Sequence, residues 1–113
     1  MNLDQLATAI EVASPDQNGR GLADLLRSWK ADSKTAKDLA NAVERYIGNA
    51  WFASDELHNA IYSLWSKFRD EAIRGIGGMT MNERLYWFGL SGRFDGAGPS
   101  EKAVIYNKLH ARP

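Results

Sequence analysis

The chain has no cysteine, two histidines, three prolines and no net charge, with fourteen basic and fourteen acidic side chains among 113 residues. Without cysteine there are no disulfides, thiolate nucleophiles or cysteine-held metal centres. With only His58 and His110, a base–nucleophile pair and a histidine-rich metal site both lack material. Charge balance leaves no overall field to attract a polyanion. No apolar run approaches the roughly 20 residues of a membrane span. The opening Met1-Asn2-Leu3-Asp4-Gln5 lacks the basic and apolar regions of a secretory signal, so the expected location is cytoplasmic.

Known fingerprints are missing too. There is no G-x-x-x-x-G-K loop, no strand-borne G-x-G-x-x-G and no G-x-S-x-G elbow. Asp55-Glu56 and Asp70-Glu71 are chain neighbours on helices, so each pair diverges by about 100° instead of converging on a substrate. The expectation is a non-enzyme with no cofactor and no metal. Period-two alternation and internal repeats are also lacking, which argues against sheet and solenoid architectures.

What is present is helical patterning. Apolar residues at 44% and charged residues at 25% match a globular chain able to bury roughly 65% of its unfolded surface. Leu3, Leu6, Ile10 and Ala13 form one stripe ending at Ser14-Pro15. Asp16 to Gly21 reads as a mobile loop, so residues 1–20 form a first unit. A central part, 21–74, carries three helices. The first runs from Gly21 to Ala31, with Leu22, Leu25, Leu26 and Trp29 inward. Asp32-Ser33 is the expected N-cap of the next, from Lys34 to Ile47, with Gly48 as a left-handed C-cap. The third, capped by Ser54 or Asp55, holds Leu57, Ile61, Leu64, Trp65, Phe68 and Ala72 within an arc about 100° wide. Asp70 and Arg74 stand in the favourable acid-first, four-apart order.

The last part, 75–113, is a glycine hinge, an aromatic helix and a C-terminal helix. Thr80-x-x-Glu83 is a capping box opening a helix expected to reach Ser91-Gly92. Gly96-Ala97-Gly98-Pro99 is a turn, and Ser100 is the expected cap of a final helix to about His110, with Ile105 and Leu109 inward. Together these predict an all-α single compact domain of five to six short helices in an irregular or orthogonal bundle, with little or no sheet.

The aromatic helix is the main candidate site. Met81, Leu85 and Phe88 share a direction, Tyr86 and Leu90 point roughly opposite, and Trp87 points to a third side. A helix apolar all round is usually a central core element. The other reading makes Tyr86 or Trp87 an interface anchor, with Arg84 and Arg93 beside it, since Trp, Tyr and Arg dominate interface hot spots. Gly75-Ile76-Gly77-Gly78 before a helix start could hold an anion, although a packing turn explains it as well. Asp55, Glu56 and His58 suit a capping and surface role better than a metal site. Residues 1–56 carry nine acids and six bases and residues 57–113 five acids and eight bases, an asymmetry that could orient a partner. Lys67, Arg69, Arg74, Arg84 and Arg93 support nucleic-acid binding as the alternative.

Gly78-Met79-Thr80-Met81-Asn82-Glu83-Arg84-Leu85, followed by Gly89-Leu90 and Phe94-Asp95, resembles a segment of small uncharacterised bacterial proteins with an M-T-x-N-E-R-L start leading to G-L and then F-D. In this chain the segment stands late, after about 77 residues. The resemblance implies a bacterial origin and a small helical protein, with no activity attached. In helix order and size alone, Leu22 to Phe68 is similar to small helical immunity proteins that neutralise bacterial toxins. The expected mode of action is protein–protein contact, with another protein or by self-association, through Arg84, Tyr86, Trp87 and Arg93. No membrane partner is expected.

Overall fold

Three reciprocal capping boxes set where helices begin in this computed structural model, which describes residues 1–112. Asn2 and Gln5 open α1 (Leu3–Ala13), and Thr35 and Asp38 open α3 (Ala36–Asn49). Thr80 and Glu83 open α5 (Met81–Trp87), as their spacing predicts. In each box a side-chain oxygen accepts an otherwise unpaired first-turn amide while the third residue reaches back. Asp16 caps α2 (Gln17–Trp29) and Ser54 caps α4 (Asp55–Phe68) through single side-chain bonds. Short α6 (Ser91–Asp95) and α7 (Pro99–Lys108) complete the order. Among the described residues there are seven α-helices and no strand, so the molecule is all-α.

Several boundaries differ from expectation, each for a local reason. Asp16 to Gly21 is not a loop: it is the cap and first turn of α2. The glycines are there for close approach. A Cβ on Gly19 would lie 1.7 Å from the Ser14 carbonyl oxygen, and one on Gly21 would lie 2.4 Å from the Tyr46 hydroxyl. Ala13 is exposed, and Ala7 completes the buried stripe of α1 instead. Asp32 does not cap α3. Its carboxylate accepts the Lys34 amide at 2.9 Å and the Lys108 ammonium at 2.8 Å, leaving the cap to Thr35. Gly48 stays within α3, and the Asn49 side-chain amide bonds the Arg45 carbonyl at 2.8 Å near the helix end. Pro99 takes the first helical position of α7, where a missing N–H costs nothing, so Ser100 is not a cap.

The aromatic helix ends four residues early. Gly89 adopts φ +65°, which lets the Leu90 amide reach the Leu85 carbonyl at 2.9 Å and the Gly89 amide reach that of Tyr86 at 3.2 Å. This pair of bonds is a Schellman ending, and it brings Leu90 to the same side as Leu85. Leu90 therefore lies in the core with Phe88, where a continuous helix would have turned it away. At the end of α4 a π turn, Arg69–Ile73, adds a residue, with the Arg74 amide on the Arg69 carbonyl at 2.9 Å. That extra residue keeps both Ala72 and Ile73 buried.

The core is a connected path of rings. Trp29 meets Phe88 with centroids 5.4 Å apart, Phe88 meets Phe68 at 5.6 Å, and Phe68 meets Trp65 at 6.0 Å. Phe88 meets Phe68 edge-on, as aromatic quadrupoles favour, and the other two pairs are tilted. Buried indole N–H groups are satisfied: Trp29 donates to the Thr35 carbonyl and Trp65 to Glu44, each at 3.0 Å. At the end of the path sits Lys108, 0% exposed, its ammonium 4.0 Å from the Trp29 ring centroid.

Gly19→Ala tests the α1–α2 approach. Its Cβ would collide with backbone that cannot rotate aside, so a loss of about 2–3 kcal/mol in urea unfolding is expected. Gly48→Ala, with nothing within 4 Å of a new Cβ, should leave stability unchanged or slightly raised.

Candidate docking surface

The four residues proposed from sequence as a contact site divide into two kinds. Arg84 and Arg93 are structural clamps. Arg84 donates from Nη1 to the Leu109 and His110 carbonyls, both at 2.9 Å, and from Nε to the Met79 carbonyl at 3.2 Å. It thus satisfies the free carbonyls at the end of α7 with a fixed charge, as helix C-termini prefer. Arg93 donates to the Lys30 and Asp32 carbonyls in the α2–α3 turn and pairs with Glu101 of α7 at 3.0 Å. One guanidinium therefore ties α6 to two other elements.

Tyr86 and Trp87 are the surface-facing pair. Trp87 is half-buried, its ring 6.4 Å from that of buried Phe68. Tyr86 stands edge-on to Trp87 at 6.2 Å and is 56% exposed. The exposed ring thus rests on a half-buried ring that rests on the core. Phe68 also forms part of a groove of about 520 Å³ along α4, lined with Met1, Ala60, Ser63, Leu64, Lys67 and Glu71.

Two features escaped the sequence reading. Trp51, in the α3–α4 connection, is 88% exposed while its carbonyl accepts from the Asn18 side chain. An aromatic in a short loop gives no periodicity from which exposure can be judged. The second is a network around Arg69, which bonds Glu44 at 2.6 Å, the Tyr62 hydroxyl at 3.0 Å and Asp70 at 3.1 Å. Tyr62, Glu44 and Asp70 together raise the pKa of Arg69. Burial works against the Glu44 carboxylate, but hydrogen bonds from Trp65 and Arg69 outweigh it and hold its pKa below the usual range.

The remaining candidates are quieter. Gly75-Ile76-Gly77-Gly78 forms a 3-10 turn that buries Ile76, and Thr80 already accepts the Glu83 amide of the helix beyond it. His58 packs edge-on against Phe52 at 5.5 Å. Among the described residues no three histidine or acidic side chains converge to hold a metal, and no helix is long and apolar enough to cross a membrane. No family model, curated protein or solved structure matches the chain.

His110 supplies a pH test. Its Nε2 accepts the Lys37 amide at 3.3 Å, linking the end of α7 to α3. Burial first, and then the nearby Lys37 charge, lower its pKa from the usual 6.5. Between that lowered value and 6.5 the unfolded chain binds more protons, so this contribution to stability is full above pH 6.5. It is lost as the pH falls through the folded value. Asn at this position tolerates the φ of +53°. In denaturation midpoints followed from pH 7.5 to 5, His110→Asn is therefore expected to flatten the acid-side slope.

Proposed function

We propose that this chain is a non-enzymatic protein that works by protein–protein contact, in the manner of a small immunity protein or regulatory inhibitor, with Tyr86 as the anchor. One observation carries the reading: Tyr86 is exposed yet backed by Trp87, which is backed by buried Phe68. A ring held from behind loses little rotational freedom on docking, and this is what makes aromatic side chains dominate binding energy. The mechanism is steric masking, in which contact through this surface covers a partner's working face. The cytoplasmic setting and the likeness to toxin-neutralising proteins belong to this same proposal.

Arg84 and Arg93 enter it as positioning residues that hold α5 and α6 in place, because their donors are engaged with the chain's own carbonyls. The same engagement weighs against the nucleic-acid alternative. Of the five bases that would form its surface, Arg69 and Arg74 pair with acids and Arg84 and Arg93 with backbone. Phosphate contacts need cations that are available to exchange their counterions.

The test is photo-crosslinking in the native cell with a benzophenone residue at position 86, compared with exposed position 8. A discrete protein adduct from position 86 and none from position 8 is expected. No adduct, or equal adducts from both, contradicts the reading. Tyr86→Ala should alter unfolding stability by no more than about 0.5 kcal/mol, as for other exposed sites.

A further inference from the structure

We infer that the exposed face of α4 is a self-association surface, on which two copies of this chain pair antiparallel. The inference concerns a different element from the Tyr86 anchor and does not depend on it.

Glu56, Ala60, Ser63 and Lys67 are all exposed and follow one another at spacings of four, three and four. That spacing defines a straight seam along a helix. Its two ends carry opposite charges about 16 Å apart, from eleven residues at 1.5 Å each, too far to meet within one helix. Neither Glu56 nor Lys67 belongs to an ion pair among the described residues. Arg69 is committed to Glu44 and Asp70, and Arg74 to Asp70, whereas Asp55 and Glu71 share with Glu56 and Lys67 the lack of an ion pair among the described residues.

A two-fold axis crossing the helix between Ala60 and Ser63 resolves this arrangement. Ala60 then faces Ser63 of the second copy, and Glu56 faces Lys67 of the second copy at both ends. An isologous interface must be self-complementary in this way. The small side chains at the crossing allow close approach of the helix axes, near 8 Å. The same symmetry brings like flanks together. Leu57, only half-buried in the single chain, then lies over the groove beside Leu64 and Phe68 of the second copy. The unpaired charges of Glu56 and Lys67 and the unfilled apolar groove are thus answered by one occupant. Contact along one helix is small for a specific interface, so reversible association in the micromolar range is expected.

Sedimentation equilibrium of the full chain tests this at concentrations up to about 0.5 mM. Wild type is expected to dissociate reversibly from dimer to monomer. Glu56→Lys and Lys67→Glu each set like charges against one another at two places and should weaken the dimer about tenfold. The double variant restores both pairs with reversed sign and should recover wild-type affinity. Ala60→Arg, which places bulk at the crossing, should leave monomer only. All three substituted positions are exposed, and thermal unfolding verifies that each variant folds. A wild type that stays monomeric throughout overturns the inference. So do charge reversals without effect, a double variant weaker than the singles, or a dimer that survives Ala60→Arg.

Discussion

The rest of the structure depends on the binding of one buried ammonium by the turn between α2 and α3. Lys108 Nζ donates to the Trp29 and Lys34 carbonyls and to the Asp32 carboxylate, while lying over the Trp29 ring. Three acceptors match the three protons of an ammonium group, so the buried charge is fully answered. Burial pushes its pKa below the usual 10.5, with Asp32 acting in opposition. Arg93 adds bonds to the Lys30 and Asp32 carbonyls of the same turn. A six-residue connection that would otherwise expose its carbonyls therefore fastens the C-terminal helices to the N-terminal ones.

This arrangement gives the charge asymmetry of the two halves an internal use. The basic second half reaches into the acidic first half through Lys108 to Asp32 and Arg69 to Glu44. The ring path from Trp65 through Phe68 and Phe88 to Trp29 runs between these two polar joints. With the core closed at both ends, surface rings such as Tyr86 are held from behind instead of moving freely. The same closure sets α4 as a long, firm edge with one face uncovered.

Much of this was legible in the residues. Thr80 and Glu83 carry both halves of a local hydrogen-bond exchange, so that helix start needs no tertiary knowledge. The apolar arc of α4 likewise identified Ile61, Trp65 and Phe68 as core. What stayed hidden depends on contacts between distant segments. Gly19 has the composition of a loop, and only the neighbouring Ser14 carbonyl reveals that it permits helix packing. Gly89 ends α5 because Leu85 and Leu90 can both enter the core, which a helical wheel does not weigh. Lys108, Arg84 and Arg93 resemble ordinary solvated cations until the carbonyls that surround them are known. For the candidate site, the helical wheel left open whether Tyr86 and Trp87 face the core or the surface; Tyr86 is exposed and Trp87 half-buried, while the arginines beside them bond the chain's own carbonyls.

The most direct measurement is the unfolding free energy of Lys108→Met, which keeps the apolar stem and removes the charged donor. The Trp29 and Lys34 carbonyls would lose a donor and Asp32 its cation, so a loss of about 2–4 kcal/mol is expected. The α2–α3 turn should also lose amide protection from hydrogen exchange ahead of the α1–α2 core. A variant as stable as wild type, with that turn equally protected, would contradict the account.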